Sequence, residues 1–300
     1  MERELWSELS QAVSEVAARW VEPSRRYTHP TALIVRVHLW SALHDRPTCR
    51  ACEAANWDAR TRPQRLPDQS TVSRRKRAES FGRFMDAVGG RLAGRPTRSL
   101  VKRVDGKALP VAVAAHSTDR DAAWGRGAGQ LARGYKLHAV WADRPMPEQW
   151  AVTPLNVCER RMARRMLRRL GGGGAGYLLG DGYFDDSGLH DEAAAAGHQL
   201  VAPRRASSRG KGLGHCYQSP RRLRSIDLTE PPAGINRFGP SLRRQRVQVE
   251  RDFGNLTSFG GGLAALPSWV RRIWRARAWV HAKLLVNAAR IRCRRRRVGA

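Results

Sequence analysis

The chain is 300 residues long and carries 55 Lys and Arg against 26 Asp and Glu, a formal net charge of +29. With 41 % hydrophobic residues and ten tryptophans it is too apolar to stay disordered, and it is long enough for one large domain or two. The acidic opening MERELWSEL and the lack of any run of about 18 apolar residues argue against a secretory leader and a membrane span, so a cytoplasmic chain is expected.

Helical spacing runs through the first ninety residues. Leu5, Leu9, Val13 and Val16 share one face, and Thr31 to Leu43 forms a second apolar-striped segment after Pro30. Cys49 and Cys52 have the gap of a zinc knuckle, but no second pair completes four ligands, and five scattered cysteines fit a reduced protein. Asp68 or Ser70 can cap a helix with apolar positions Val72, Phe81, Phe84, Met85 and Val88. Arg74, Arg75, Lys76 and Arg77 crowd its first turns, which suits a helix-turn-helix DNA reader and a plain solvated face alike. Gly89-Gly90 and Gly94-Arg95-Pro96 read as the linker that closes an all-helical region, residues 1–95.

After Pro96 the pattern changes. Leu100 to Val104 reads as a strand ending at Asp105-Gly106, Gly134 to Trp141 as a second, and Glu148 to Thr153 as a third. Asn156 to Leu170 is a basic amphipathic helix, and Gly171 to Gly174 a loop that lacks the GK[ST] of a phosphate cradle. Tyr177 to Gly180 is a strand ending at Asp181, Ser187 to Ala196 a helix, and Gln199 to Ala202 a fifth strand. Residues 203–240 look irregular, and helices follow from about Pro240 to Leu256 and from Ser268 to Arg296. This order gives an α/β domain, residues 96–300, with a mixed five-stranded sheet flanked by helices.

The charge is unevenly placed. Residues 1–30 hold four basic and five acidic side chains, whereas Phe253 to Ala300 holds eleven basic ones and no acid. Arg204 to Arg224 holds seven and no acid. Such a field is expected of a polyanion binder, and nucleic acid is the default partner. Trp269, Trp274 and Trp279 recur among the C-terminal arginines, where core packing outweighs base stacking as the expected role.

Three acids stand out against this background. Asp105 and Asp181 each end a strand, and Glu250 sits mid-helix four residues after Arg246. Asp-Gly after a strand is an ordinary turn signal, and Arg and Glu four apart are usually a helix salt bridge. Taken together, carboxylates at two strand ends and one on a crossing helix can hold two hard cations about 4 Å apart for phosphodiester chemistry. Oxygen ligands favour Mg2+, with Mn2+ able to substitute. No GxSxG, HExxH or P-loop offers a rival site, and His138 is expected to be structural.

The landmarks VDGK (104–107), GYKLH (134–138), VTPLN (152–156), DGYFD (181–185) and RVQVERDF (246–253) occur in this order, preceded by LPDQSTVSR (66–74). In this the chain resembles bacterial insertion-sequence DDE transposases, over about residues 30–290. The resemblance implies an RNase H-like core with Asp105, Asp181 and Glu250 as catalytic metal ligands for two Mg2+ ions. It implies cleavage of double-stranded DNA at the element's ends and joining of the 3′-hydroxyls to target DNA, by a homodimer assembled on DNA. The family's helix signature of Tyr, Arg, Glu and Lys is kept here at Arg246 and Glu250, while Arg243 and Thr257 replace the Tyr and Lys. Expected DNA contacts are Arg246, Arg243, Lys136, Arg74, Arg75, Arg204 and Arg205, with the helical region 1–95 and the Arg-rich stretch 204–224 positioning the DNA end; the basic loop 203–240 and the basic C-terminal helix are counted with the catalytic domain. A catalytically silent DNA-binding relative and a general RNase H-like nuclease are the alternatives.

Overall fold

The computed structural model of the chain describes residues 2–24, 27–94, 99–112, 118–127, 129–170, 175–205, 217–230, 238–259, 262–263 and 265–298. The glycine run 171–174 and two parts of the basic loop, 206–216 and 231–237, lie outside them. Two compact units emerge. One comprises Met1–Arg95, Val111–Ala122 and Asn255–Ala300, the other Pro96–Pro110 and Ala123–Gly254.

The first unit is helical. It contains α1 (Glu2–Ala17), α2 (Thr31–Leu43), α3 (Thr48–Ala51), α4 (Gln69–Arg75), α5 (Glu79–Ala93) and α10 (Ile273–Val298). The expected α1 stripe is inside, with Leu5, Leu9 and Val13 buried. The single helix expected after Asp68 is two, broken at Lys76–Ala78. Gly89 and Gly90 lie within α5 rather than in a linker. Burial of Phe81, Phe84, Met85, Val88 and Leu92 on one face outweighs the roughly 1 kcal/mol that each glycine costs a helix. The helix stops at Gly94, whose φ of 73° is the left-handed conformation of a C-terminal stop.

The basic C-terminal helix packs in the core, as expected, but in this helical unit rather than with the sheet. Every residue from His281 to Arg290 is buried, and α10 packs on α1, α2 and α5. Its buried cations have partners. Lys283 Nζ donates to Ala42 O at 2.7 Å and Asp45 Oδ1 at 2.6 Å, and Arg290 donates to Asn255 O at 2.6 Å. Arg292 and Arg296 pair with Glu8 at 2.6 and 2.7 Å, and Arg297 with Glu4. The acid-rich N-terminus and the acid-free C-terminus thus neutralise each other in part. The helix begins at Ile273, five residues later than expected, because Asp119 and Asp121 accept the backbone N–H groups of Arg272 and Ile273.

The second unit is a mixed α/β layer structure. Its sheet holds β1 (Val101–Pro110), β2 (Ala123–Gly127), β3 (Gln130–Trp141), β4 (Gln149–Pro154), β5 (Gly176–Leu179) and β6 (His198–Val201). The order is β2-β3-β1-β5-β6, with β4 also paired to β3. Pairing is antiparallel among β1 to β4 and parallel from β1 to β5 and β6. The expected mixed sheet is present with a sixth strand, β2, whose sequence AWGRG has no apolar alternation to announce it.

Alternation along β5 and β6 assigns the two faces. Leu178 and Leu200 pack with α6 (Glu159–Leu170) and α7 (Ser187–Ala195) through Ala163, Met166, Leu167, Leu189 and Ala193. Leu179 and Val201 pack with Leu242 of α9 (Phe238–Thr257) and Leu228 of α8 (Pro220–Thr229). Helix α8 falls inside the stretch expected to be irregular. Ser219 caps it by accepting Arg221 N–H at 3.1 Å, and Pro220 starts it. A mixed sheet with helices on both faces fits an RNase H-like core. No helix among the described residues is long and apolar enough to cross a membrane.

Candidate active site

Asp105 is not in a turn. β1 runs on to Pro110 because residues 103–110 pair with 134–141 of β3, which places Asp105 opposite Ala139 and Gly106 opposite His138. On the other edge, the parallel pairing of β1 with β5 stops at Arg103 and Leu179. Asp105 and Asp181 each lie two residues past that last pair, so the register sets them level where the two strands part.

Local bonds hold both carboxylates. Asp105 Oδ1 accepts the N–H of Gly106 at 2.7 Å. Asp181 caps a short 3-10 turn, Gly182–Phe184, and its Oδ1 accepts Tyr183 N–H at 2.9 Å. Gly180 leaves little room beneath it, since a Cβ there would sit 3.0 Å from the Phe184 ring. The charges of the neighbourhood show in Asp105, whose carboxyl is pushed up to about 6. Burial does most of this, and the charges of Asp181 and Glu159 add to it, while the Gly106 N–H and Arg246 oppose it.

Arg246 comes from α9. With Asp181, Val201, Pro203 and Thr229 it lines a recess of about 150 Å³ at the ends of β5 and β6. Its Nη2 donates to Glu250 Oε1 at 3.4 Å, and the Glu250 side chain is 62 % exposed. Asp105, Asp181 and Arg246 are therefore brought together, and Glu250 is tied to the group through Arg246. Among the described residues no three His, Cys, Asp or Glu stand close enough to hold a metal ion.

The other expected DNA contacts are placed as follows. Lys136 Nζ is bound to Glu159 Oε1 at 2.6 Å. Arg205 donates its backbone N–H to Asp185 at 3.3 Å and its Nη2 to Tyr183 O at 3.2 Å, while Arg204 is half-buried. Arg243 lies in α9, with its side chain outside those described. In the helical unit Arg74 is exposed. Arg75 is buried and donates to His29 O at 2.9 Å and Thr31 Oγ1 at 2.8 Å, so its guanidinium serves the fold.

Several groups at the site carry no sequence signal of their own. Glu159, which pairs with Lys136 and acts on Asp105, reads in sequence as an ordinary first-turn acid of a basic helix. Asp185 and Asp186 share the Asp181 segment, yet both are engaged. Arg222 Nε and Nη2 grip Asp185 at 2.6 Å each, and Arg160 and Arg164 hold Asp186 at 3.2 and 2.5 Å. Their signal is only their spacing from Asp181. His138 is buried, bonded to Thr153 Oγ1 at 2.9 Å, and pushed down to about 4 by burial and then by Lys136. It is a neutral structural group.

Two carboxylates set level, one of them with its pKa raised by burial and by its acidic neighbours, are of the donor type that hard divalent cations take, and cationic Arg246 beside them suits a phosphate. The sequence model of the family described as "Transposase DDE domain" matches residues 104–286. A cryo-EM structure of the piggyBac transposase synaptic complex with hairpin DNA aligns with a TM-score of 0.49 at 11 % identity, over 95 % of this chain and 71 % of that one. No curated protein matches the chain.

Proposed function

The chain belongs to the family of transposase DDE domains, and on that premise we propose that it cuts DNA at the ends of its own mobile element and joins the freed 3′-hydroxyls to target DNA. The observation that carries this reading is the level placement of Asp105 and Asp181 beyond the last β1–β5 pair, with the charge of Asp181 acting on Asp105. These two carboxylates, with Glu250 as third ligand, would hold Mg2+ or Mn2+, two ions per site, which when bound supply the charge that activates an oxygen nucleophile and steadies the leaving oxygen. Arg246 binds a phosphate oxygen of the DNA in this reading and gives up its 3.4 Å bond to Glu250 when it does. Lys136 pairs with Glu159 beside Asp105, so that Glu159 does not compete for the ion. Water attacks first and the 3′-hydroxyl second, with no covalent protein–DNA intermediate. Residues 1–95 and the basic segment around Arg204 and Arg205 position the end, mainly through phosphates, in a homodimer on DNA.

A second reading, a DNA-binding relative without catalysis, is favoured by Arg243 and Thr257 in the signature helix and by the exposed Glu250. Strand transfer separates the readings. The purified chain is incubated with Mg2+, a duplex carrying the inverted repeats that flank its gene, and a target plasmid. End-dependent joined products are expected. Binding without cutting supports the silent relative, and cutting without end dependence supports a general nuclease.

A further inference from the structure

The helical unit contains a recess of its own, about 360 Å³, between α4 and the start of α10. Ser73 and Lys76 line it from α4 and the residue after it, Thr48 from the start of α3, and Trp269, Arg271 and Arg275 from α10 and the segment leading into it. Hydroxyls and three cations face this space, and no acid is among the described residues that line it. Arg271 and Arg275 also border an adjoining recess with Arg77 and Trp274, where the Arg77 and Arg275 guanidiniums lie 4.7 and 4.9 Å from the Trp274 ring. Asp121, paired with Arg272 at 3.4 Å, also lines that second recess, so the cations without a facing carboxylate are those of the first.

These cations are held close at a cost. Burial lowers the Arg275 pKa, and the charges of Arg77, Arg271 and Arg272 lower it further. Burial and then Arg275 push the Lys76 ammonium down to about 8, and its partner is the neutral Thr48 Oγ1 at 3.1 Å. Arg271 likewise donates to neutral oxygens, Ser268 O and Thr118 Oγ1. Like charges gathered in a partly dry recess without a carboxylate are unfavourable until an anion enters. The backbone is set for this arrangement too. Arg272 is one of two described non-glycine residues with positive φ, at 73°, and Asp119 and Asp121 clamp the N–H groups that follow from that turn. At the recess Trp269 is 38 % exposed, an aromatic face beside the cations.

We infer that this recess is a DNA-phosphate site, in which Lys76, Arg271 and Arg275 take a backbone phosphate and Trp269 takes the adjoining nucleoside. Its volume suits one nucleotide unit, and an aromatic beside arginines is the usual platform for an unpaired base. The assignment of DNA rather than a free nucleotide rests on the proposed function. The site also explains why a chain whose C-terminal helix is largely core keeps its first turn cationic.

Anisotropy of a labelled 20-base-pair duplex that ends in a single-stranded overhang, with the full chain in EDTA over a series of salt concentrations, tests this without any catalytic step. Lys76→Gln and Arg275→Gln are each expected to weaken binding about tenfold and to lower the slope of log K against log salt by about 1. Arg62→Gln, an exposed charge of the same unit away from the recess, should change the slope less. Trp269→Ala should weaken binding and Trp269→Phe restore it. Variants are compared only where their circular dichroism melts match the wild type, and Trp269→Ala, on a half-exposed side chain, remains available if Lys76→Gln does not fold. Slopes for the recess variants equal to that of Arg62→Gln overturn the site. Displacement of duplex by micromolar dAMP or inorganic phosphate, lost in Arg275→Gln, overturns DNA as the ligand. Because the assay excludes divalent ions, its failure leaves the cleavage chemistry of Asp105 and Asp181 untouched, and failed cleavage leaves this result untouched.

Discussion

His38 makes the helical unit acid-sensitive by an amount the structure sets. It lies on α2, 2 % exposed, with Nε2 at 3.0 Å from Ala278 O of α10 and its ring edge-on to Phe81 at 5.5 Å. Burial, reinforced by the charges of Lys76 and His281, pushes the imidazole from 6.5 down to about 3. The folded state therefore holds His38 neutral while the unfolded chain takes up a proton near 6.5. Stability is complete above that value and falls as pH drops toward 3. At about 1.4 kcal/mol per pKa unit, a shift of this size removes roughly 5 kcal/mol once both states are protonated, and about 2 kcal/mol between pH 7.5 and pH 5. His38→Gln keeps a donor for Ala278 O and removes the titration. Urea unfolding followed by tryptophan fluorescence at the two pH values gives the difference directly. His138 and His281, each pushed down to about 4, titrate in both proteins and largely cancel. Wild type should lose about 2 kcal/mol more than the variant on acidification. Equal losses in the two proteins would refute the reasoning.

Other consequences follow from single contacts. Asp185→Ala leaves the Arg222 guanidinium buried without its two 2.6 Å bonds, and a loss of about 3–5 kcal/mol is expected in thermal or urea unfolding. Burial resists ionisation of Asp185, but His190 and Arg222 hold its carboxyl far below the usual range, with Arg222 carrying the effect since His190 Nε2 stands 3.8 Å away. That stabilisation is present above the ordinary carboxylate pKa near 4 and is lost only in strong acid, so the Asp185→Ala penalty should stay constant from pH 8 to pH 5. Gly134→Ala would set a Cβ 2.3 Å from Leu109 O across the β1–β3 pair, and it should deplete soluble protein, whereas Gly90→Ala, with open space around it, should be neutral or slightly stabilising.

The candidate site was legible in sequence to the extent that it rests on strand ends. Periodicity and Asp-Gly mark Asp105 and Asp181 only as strand ends, their place in a metal site is what the family resemblance implies, and the parallel register that sets them level follows from pairing that one sequence does not encode. Reading Asp105 into a turn failed because Gly106 is also compatible with a strand, and cross-strand pairing to His138 decides between the two. The sixth strand has no sequence signal for a similar reason, since β2 is held by its partner β3 rather than by side-chain alternation. Glu159 was invisible because its role is set by Lys136, 23 residues earlier on a different strand.

Charge was the feature most altered by the fold. The acid-free C-terminal tract reads as a DNA-binding surface, yet Lys283 and Arg290 are interior and Arg292, Arg296 and Arg297 meet Glu8 and Glu4. One-dimensional charge counts cannot see that pairing, because the partners are nearly the whole chain apart. What is left facing a recess is the group at the start of α10, with Lys76 opposite.

The most direct test of the catalytic assignment is single-turnover cleavage of a duplex carrying the element's terminal repeats, by wild type and by Asp105→Asn, Asp181→Asn and Glu250→Gln, in Mg2+ and in Mn2+. Each substitution is expected to slow cleavage at least about a hundredfold while leaving duplex affinity in EDTA unchanged. Cleavage at the wild-type rate by any one of the three would contradict the place of that residue in the site, and by both aspartate variants would contradict the site itself.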